Sequence, residues 1–337
     1  MDTKPRLIFA IVSVLTIVLQ ACALPSFSAP AATEPPAPEQ PPAQPAIVHS
    51  VIPSAGSSQV SNAHDNEEST TFEEKSVRAG DEFENNRFER PFTAQDMAYL
   101  PYIDIVDAGM TEDDNFYYTQ IKLVGVDSAT GAVKGFYGQE FDLDIDGRTE
   151  VLILAKAPTG SDWTTDGVVV YVDGNGDIGG LSSRSDDAYT GNGYEAAVFD
   201  AGNGDDPDLA WVRFVNSSAP IVELAFKKSV LEDVPTFMFS VLSSDNALDP
   251  TKMYFNDTFT EERAGSPVKG NAYYPLNELA AFDNTCRLPS GFQPTGSEPY
   301  GCQVGKPDAV YEWTPGKKKC ILCGLIQWVP GQIFQLQ

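Results

Sequence analysis

An acidic turn near the middle of the chain combines residue types and a spacing that suit cation binding. It reads D-x-D-x-D-G-x-x-E and consists of Asp142, Asp144, Asp146, Gly147 and Glu150. Calcium loops use oxygen ligands at this spacing, because alternate side chains reach one side of the chain and glycine permits a sharp turn. The pattern therefore predicts structural Ca2+ held by the four carboxylates. The alternative is an ordinary hairpin with a charged outer face, which an Asp-Gly pair also favours.

A second acidic turn further along the chain repeats part of this pattern. Asp173, Asn175 and Asp177 keep the alternate spacing, but Ile178 stands where such loops prefer glycine. These three residues are predicted to be further calcium ligands. A flexible, glycine-rich turn is the alternative.

The two turns are expected to meet at one edge of a sheet. Apolar and alternating residues predict three strands, over 138–145, 149–157 and 167–172. If these strands run up, down and up, the first turn lies beside the end of the third strand. Alternation places the acidic side chains on one face of the sheet and Phe141 on the other. Like charges on one face repel each other, so Arg148 or a bound cation is expected to neutralise them.

Short alternating segments separated by turn residues continue through the rest of the globular part. This pattern is typical of a two-sheet sandwich. The sequence therefore predicts an all-β fold, a two-sheet antiparallel β-sandwich of jelly-roll type, with a small disulfide-stapled C-terminal appendage. The predicted strands outside the meander are 102–106, 116–126, 195–199, 209–215, 220–226 and 236–242.

Several of these segments resemble strands of a known sandwich family. Residues 113–123 (DDNFYYTQIKL), 166–173 (DGVVVYVD) and the pair 222–226 and 236–241 (VELAF, TFMFSV) are similar, in the right order, to strands of DOMON-like and family 9 carbohydrate-binding-module domains. The resemblance extends over residues 92–245. It implies a jelly-roll-like sandwich that binds sugars or, in some members, haem.

The first residues have the composition of an export signal. A short basic region precedes the apolar run 7–19, which ends in Leu19-Gln20-Ala21-Cys22 and resembles the bacterial lipobox. Cleavage before Cys22 would leave a lipid on that cysteine and place the protein in the bacterial cell envelope, outside the cytoplasmic membrane. An uncleaved membrane helix ending near Leu24 is the alternative, although it falls short of the roughly 20 apolar residues that a span needs.

Composition divides the chain into five parts. Residues 1–21 are predicted to be the signal peptide, and 22–60, rich in proline and alanine, an extended tether. Residues 61–91 are acidic and are predicted to be disordered. The sandwich is expected over 92–285 and the cysteine-containing appendage over 286–337.

Charge and histidine content exclude several classes of function. The net charge of −26 argues against nucleic acid and anionic lipid as partners, so membrane contact is expected through the lipid anchor only. Both histidines, His49 and His64, precede the predicted sandwich. Without a positioned imidazole, Ser-His-Asp and Cys-His nucleophiles, histidine-bound zinc and histidine-ligated haem are not expected. We predict a binding protein without haem, not an enzyme.

Four cysteines remain after Cys22, an even number that is typical of disulfides in an exported protein. Pairing Cys286 with Cys302 and Cys320 with Cys323 is the simplest of the three possible arrangements, because each pair is local. A redox motif or a zinc site at Cys320 and Cys323 is the alternative. A single C-x-x-C without a surrounding βαβ pattern favours neither.

Aromatic residues in the predicted loops bear on what the sandwich binds. Trp163, Tyr189 and Tyr194 could stack against sugar rings, and packing in the core or rim is the alternative. With the family resemblance, they predict a lipid-anchored surface protein whose partner is a glycan or a cell-surface protein. The alternative is a structural envelope protein that makes protein–protein contacts and takes no small ligand.

Replacing Cys22 tests the lipid anchor. Cys22→Ser should abolish lipid attachment and change processing, because lipobox cleavage and lipid attachment both require that thiol. Mass spectrometry of the mature protein measures both properties. A mature N-terminus that precedes Leu19, with Cys22 unmodified, would contradict the lipoprotein prediction.

Overall fold

Two antiparallel sheets pack face to face, as the short alternating segments predict. The computed structural model describes residues 47–54, 58–64, 81–83, 86–179, 192–216, 219–253, 260–302, 311–314 and 317–320. For 58–64 and from 311 onward, the backbone alone is described. Branched and aromatic residues dominate the strands because such side chains pack well on a pleated surface. The predicted all-β, two-sheet antiparallel class is confirmed.

The first sheet is antiparallel throughout and has the strand order β1-β3-β4-β11-β10. Its strands are β1 (Ser58–His64), β3 (Ile105–Glu112), β4 (Phe116–Leu123), β10 (Ala210–Asn216) and β11 (Pro220–Lys227). The strand that was predicted over 102–106 begins only at Ile105. Tyr102 and Ile103 lie in a preceding turn, where both are buried.

The second sheet has the order β2-β13-β12-β5-β6-β7-β8-β9, with β14 paired to β12 beside β13. Its strands are β2 (Glu89–Arg90), β5 (Phe136–Asp142), β6 (Val151–Lys156), β7 (Val168–Val172), β8 (Ala196–Asp200), β9 (Asn203–Gly204), β12 (Phe237–Ser244), β13 (Phe282–Asn284) and β14 (Leu288–Ser290). The strands β5, β6 and β7 form the predicted meander.

Short elements complete the described part of the chain. The strands β15 (Tyr311–Thr314) and β16 (Lys317–Cys320) form a separate two-stranded hairpin. Single helical turns occupy Lys228–Leu231, Pro250–Lys252 and Glu261–Ala264. No helix within the described ranges has both the length and the apolar character needed to cross a membrane.

The main core lies between the two sheets and is rich in aromatic rings. Phe141 from the second sheet meets Phe226 from the first at a centroid distance of 5.1 Å, and Phe237 lies 5.9 Å from Phe141. The three rings are fully buried. Edge-to-face contacts of this kind add to the free energy gained from burying the rings.

A second apolar layer covers the outer face of the second sheet. It brings Phe88, Met253, Leu279 and other side chains against Leu152 and Leu242, which point away from the main core. As a result, every residue of β12 is buried, and so is nearly every residue of β5. The central strands of this sheet are therefore enclosed on both sides.

The covering layer changes the surroundings of the acidic side chains in β5. Glu140 and Asp142 point to the face of the sheet away from Phe141, as alternation predicts. This face is nevertheless covered, because the two residues are 2% and 0% exposed. The charged outer face of the hairpin alternative is therefore wrong at these two positions. The physical reason is that residues far away in the chain pack over this face, which strand alternation does not reveal.

The folded region begins earlier than the sequence predicts. Arg90 is completely buried, and its guanidinium donates hydrogen bonds to Asp81 and to the backbone carbonyls of Ala264, Gly265 and Leu279. The prediction of disorder over 61–91 is therefore wrong for the described residues near its end. They are ordered because Arg90 satisfies buried carbonyl groups that water does not reach.

Part of the predicted tether also belongs to the folded region. Residues 47–54 contact the first sheet, and β1 pairs with β3 along its length. The prediction of an extended tether over 22–60 is therefore wrong from Ile47 to Ser54 and for the start of β1, and the rest of β1 contradicts the disorder predicted for 61–64. Residues 1–46, including the signal peptide and Cys22, lie outside the described residues.

One of the two predicted disulfides is confirmed. Cys286 and Cys302 are bonded with an S–S distance of 2.04 Å. The bridge closes the segment that contains β14, which itself pairs with β12, so this segment is part of the sandwich. Cys320 ends β16, and its predicted partner Cys323 lies outside the described residues.

Truncating a core ring tests the packing between the sheets. Phe226→Ala should lower the free energy of unfolding by about 3–5 kcal/mol, because it removes buried apolar contacts and leaves a cavity. Val268→Ala is a matched control, since Val268 is 39% exposed and should change stability by less than ~0.5 kcal/mol. Chemical denaturation measures both. Equal effects of the two substitutions would contradict this core.

Candidate metal site

The first acidic turn is a loop that follows β5. The ladder between β5 and β6 ends at the pair Phe141–Val151, and the chain turns outside that ladder. The turn is thus longer than a two- or three-residue hairpin loop. Ile145 and Gly147 have φ angles of 64° and 96°. Because glycine adopts positive φ without steric cost, Gly147 permits the sharp turn here, as its place in the acidic pattern predicts.

Backbone amides of the loop point at its own carboxylates. Asp142 accepts hydrogen bonds from the amides of Asp146 (3.1 Å) and Gly147 (3.0 Å), and Glu150 accepts one from the amide of Leu143 (2.7 Å). Asp144 also accepts from the amide of Asp146, at 3.2 Å. These bonds wrap the loop around its acidic side chains.

The four predicted carboxylates of this loop meet at one point. One oxygen from each of Asp142, Asp144, Asp146 and Glu150 lies within 4.8 Å of the others. Asp142 is buried and Glu150 is half-buried, whereas Asp144 and Asp146 are exposed. The cluster therefore has an inner side within the protein and an outer side open to water. These four residues could hold a metal ion.

Burial and mutual repulsion change the protonation of the inner carboxyls. Burial raises the pKa of Glu150 to about 7, and the negative charges of Asp142, Asp144 and Asp146 act in the same direction against the opposing hydrogen bond from Leu143. Burial also raises the pKa of Asp142, although Arg287 partly offsets that effect. Carboxyls with raised pKa values in a shared cluster are a common mark of a functional site.

Arg287 is the partner of the buried carboxylate, and sequence analysis missed it. Its Nη1 donates to Asp142 Oδ2 at 2.7 Å, and its side chain is 6% exposed. The predicted partner, Arg148, pairs with the cluster only on its exposed side, where its Nε lies 3.8 Å from Asp146 Oδ2. Its Nη1 donates to the backbone carbonyl of Gly176 at 2.8 Å. Asp142 and Arg287 are 145 positions apart, and no local pattern marks Arg287 as the partner.

The second acidic turn lies next to the first, as the meander predicts. The amide of Thr149 donates to the carbonyl of Ile178 at 3.3 Å, and Arg148 forms an isolated bridge with Gly179. This confirms the predicted neighbourhood of the two turns. It also shows that the loops after β5 and β7 support each other at one edge of the second sheet.

The carboxylates of the second turn do not join the four-carboxylate cluster. Asp173 accepts hydrogen bonds from the amides of Asn175 (3.0 Å), Gly176 (2.9 Å) and Ile178 (3.0 Å). The carboxylate of Asp177 accepts hydrogen bonds from the amides of Asn192 and Gly193. Asn175 bonds to the side chain of Asn192. A metal-binding role for Asp173, Asn175 and Asp177 stays a prediction.

Tyr194 is buried beneath the acidic loop, where it contacts Thr149, and it is not available to bind a ligand at the surface. Its hydroxyl donates to Glu140 at 2.8 Å and lies 2.7 Å from Thr149 Oγ1. The residue is 1% exposed, and burial raises its pKa well above the usual value. The prediction that Tyr194 stacks on a sugar ring is therefore wrong. The second apolar layer, of which Tyr194 is a member, encloses its ring.

The other two predicted aromatic ligands have different outcomes. Trp163 is half-buried, with the Arg213 guanidinium 4.3 Å from its ring centroid and its Nε1 donating to the Ser54 carbonyl at 3.3 Å. One face of this ring is therefore already occupied by a cation. Tyr189 lies outside the described residues.

The expectation that histidine is absent from the folded region is wrong for His64, which ends β1, and for His49. The Nδ1 of His49 lies 2.8 Å from Asp208 Oδ1, and its ring packs on Trp211 at 4.6 Å. Ser50 Oγ donates to the other oxygen of the same carboxylate, at 2.8 Å. A Ser-His-Asp relay requires the serine to donate to the histidine. The described geometry therefore resembles a docking contact and not a nucleophile relay.

The raised pKa of Glu150 predicts that stability depends on pH. Its pKa is about 7 in the folded state against 4.5 normally, so between these values the folded state binds more protons. The associated stability is fully present below pH ~4.5 and is lost as pH rises through ~7. In chelator-treated protein, the melting temperature of the unchanged chain should fall over this window more than that of Glu150→Gln. The amide keeps the acceptor for Leu143.

Asp114→Asn is the matched control for this comparison, because Asp114 is exposed and lies outside the cluster. It should retain the pH response of the unchanged chain. If Glu150→Gln and the unchanged chain respond identically between pH 5 and 7.5, Glu150 does not titrate in this window.

Comparison with protein-family models, with curated proteins and with solved structures finds no match for this chain. The resemblance to DOMON-like and family 9 carbohydrate-binding-module domains therefore stays a prediction.

Proposed function

We propose that this chain is a calcium-binding β-sandwich of the bacterial cell envelope that binds a partner and does not catalyse a reaction. The observation that carries the calcium part is the cluster at the end of β5. Four carboxylates converge there within 4.8 Å, and only Asp142 is paired with a buried arginine. A divalent cation at this point would neutralise the repulsion that, together with burial as the larger cause, raises the pKa of Glu150.

The chemistry of the donor set favours calcium over other cations. All four side chains offer oxygen, and the D-x-D-x-D-G spacing places three of them on alternate residues of a tight loop. Calcium takes six to eight oxygen ligands in a flexible arrangement, whereas zinc prefers nitrogen and sulfur and magnesium demands near-octahedral geometry. Waters can complete the coordination on the exposed side, where Asp144 and Asp146 lie.

A cation in this loop would have a structural role. The loop already contacts the second turn through Arg148 and Thr149. Fixing the four carboxylates would therefore order the edge of the sheet at which both turns lie. In this proposal, calcium stabilises a surface that other molecules contact, and it does not take part in chemistry.

The envelope location and the partner rest on sequence. The lipobox-like segment ending at Cys22 and the net charge of −26 suit an acidic protein anchored outside the cytoplasmic membrane. Glycan binding is supported by the family resemblance. Tyr194 is buried, and Trp163 already contacts Arg213 and Ser54, so neither adds to that support.

A structural envelope protein is the second candidate. It is favoured by aliphatic side chains at the surface, with Val48 77% and Ile52 65% exposed, because exposed apolar groups often mark contacts between proteins.

Calcium binding is tested by melting curves with and without metal. Removing calcium with a chelator should lower the melting temperature, and adding it back should restore the value. Binding to the folded state alone stabilises by about 2.7 kcal/mol at one hundred times the dissociation constant. Asp144→Asn should weaken calcium binding about tenfold or more, because calcium affinity follows the charge of the ligand set. The metal-free variant should melt no lower than the metal-free parent, since one repelling charge is gone.

Asp162→Asn serves as the control, because Asp162 is exposed and outside the cluster. It should keep the full response to calcium. The metal proposal would be contradicted by a melting temperature that neither chelator nor calcium changes, together with the absence of metal from the purified protein by elemental analysis.

A further inference from the structure

Residues Ile47–Ser54, which we call the strap, lie on the outer face of the first sheet. This face carries Phe116, Tyr118 and Trp211, with Trp163 packed beside them. Tyr117, which neighbours Tyr118 in β4, packs instead against the main core. Because successive strand residues point to opposite faces, the cluster is on the side away from the other sheet. Phe116, Tyr118 and Trp211 are only 2–3% exposed with the strap and Trp163 in place, so the strap covers an aromatic surface that would otherwise face solvent.

Asp208 holds one end of the strap. Its carboxylate accepts hydrogen bonds from the amides of Ser50 (2.9 Å) and Val51 (2.8 Å), from Ser50 Oγ, and contacts His49 Nδ1. The Asp208 side chain is 1% exposed, while that of His49 is 26% exposed. A buried carboxylate needs several donors, and for Asp208 the strap provides them.

Two aromatic side chains hold the other end. The amide of Ser54 donates to the hydroxyl of Tyr118 at 3.1 Å, and Nε1 of Trp163 donates to the carbonyl of Ser54 at 3.3 Å. The preceding residue, Pro53, is buried. Tyr118 is itself oriented by a hydrogen bond from its hydroxyl to Asp113 at 2.6 Å.

Hydrophobic burial explains only part of why the strap lies here. Val48 and Ile52 are 77% and 65% exposed, whereas the Ile47 side chain packs beside Gly202. The strap is held mainly by hydrogen bonds to its backbone and to the Ser50 hydroxyl. The contact of the His49 imidazole with Asp208 and the burial of Pro53 add to them. Such contacts select a particular extended peptide over apolar surface in general.

We propose that Asp208, Trp211, Tyr118 and Trp163 form a peptide-recognition groove for extended segments of the form His-Ser-x-x-Pro-Ser, and that the strap is its occupant within the same chain. Linkage to the sandwich gives the strap a high effective concentration, so it outcompetes free peptides of equal affinity. The groove thereby fastens Ile47–Ser54 to the sandwich. It is separate from the acidic cluster and does not depend on calcium.

The test uses the whole chain with three substitutions in the strap, His49→Ala, Ser50→Ala and Pro53→Ala, which leave every groove residue in place. The probe is a fluorescein-labelled peptide with the sequence of residues 46–55, AIVHSVIPSA. Fluorescence anisotropy should show at least tenfold tighter binding of the probe to the strap variant than to the unchanged chain. Adding Asp208→Asn to the strap variant should weaken that binding at least tenfold.

Two control peptides distinguish sequence-specific binding in the groove from non-specific binding of the probe. A peptide in which the positions of His49, Ser50 and Pro53 are alanine should not bind. One with alanine at the position of Val48, which is 77% exposed, should bind as the probe does. Equal binding of the probe and the triple-alanine peptide would overturn the proposal.

Two further measurements keep the proposal open to refutation if the strap variant folds poorly. In the unchanged chain, the amides of Ser50 and Val51 should exchange hydrogen at least tenfold more slowly than in the free peptide, and exchange at the free-peptide rate would overturn the proposal. Tyr118→Phe, which removes the acceptor for Ser54, should accelerate exchange at the Ser54 amide. A strap variant that melts like the parent and binds an oligosaccharide but not the probe would assign the groove to sugars instead.

Discussion

The buried ion pair between Asp142 and Arg287 links the acidic loop to the disulfide-bonded segment of the sandwich. Asp142 ends β5, whereas Arg287 follows Cys286 and its backbone pairs with Cys302 and Tyr300. Breaking such a pair leaves an uncompensated charge in the interior, at a cost of about 3–5 kcal/mol. Arg287 therefore holds the inner carboxyl group of Asp142 in place, and the other three carboxyl groups gather around it.

Enclosure of the second sheet on both faces explains why this pair is buried at all. The outer layer of Phe88, Leu279 and their neighbours removes Glu140, Asp142 and Tyr194 from water. Each must then find a partner, and the network of Tyr194, Thr149 and Glu140 beneath the loop is the result. The first sheet has no comparable layer over its aromatic cluster among the described residues, apart from the strap and the loop that carries Trp163.

The two acidic turns show how one local pattern leads to different arrangements. Asp173 is satisfied within its own turn by three backbone amides. Asp142 accepts two such amides, and Arg287 is its further partner. Its neighbours Asp144 and Asp146 remain at the surface beside Glu150, so negative charge accumulates in the first turn. For this reason the first loop is the better candidate for a cation, although both share the alternate spacing.

The sequence by itself determined the approximate positions of β3–β8 and β10–β12, the two-sheet class, the meander that brings the turns together and the four carboxylates that gather in the first loop. These features follow from alternation, turn residues and short separations, which act between near neighbours in the chain. Only the tertiary structure decided that Arg287 pairs with Asp142, that Tyr194 is buried and that His49 reaches Asp208. The members of these two pairs are 145 and 159 positions apart. Such contacts depend on how the layers pack, and no local pattern encodes them.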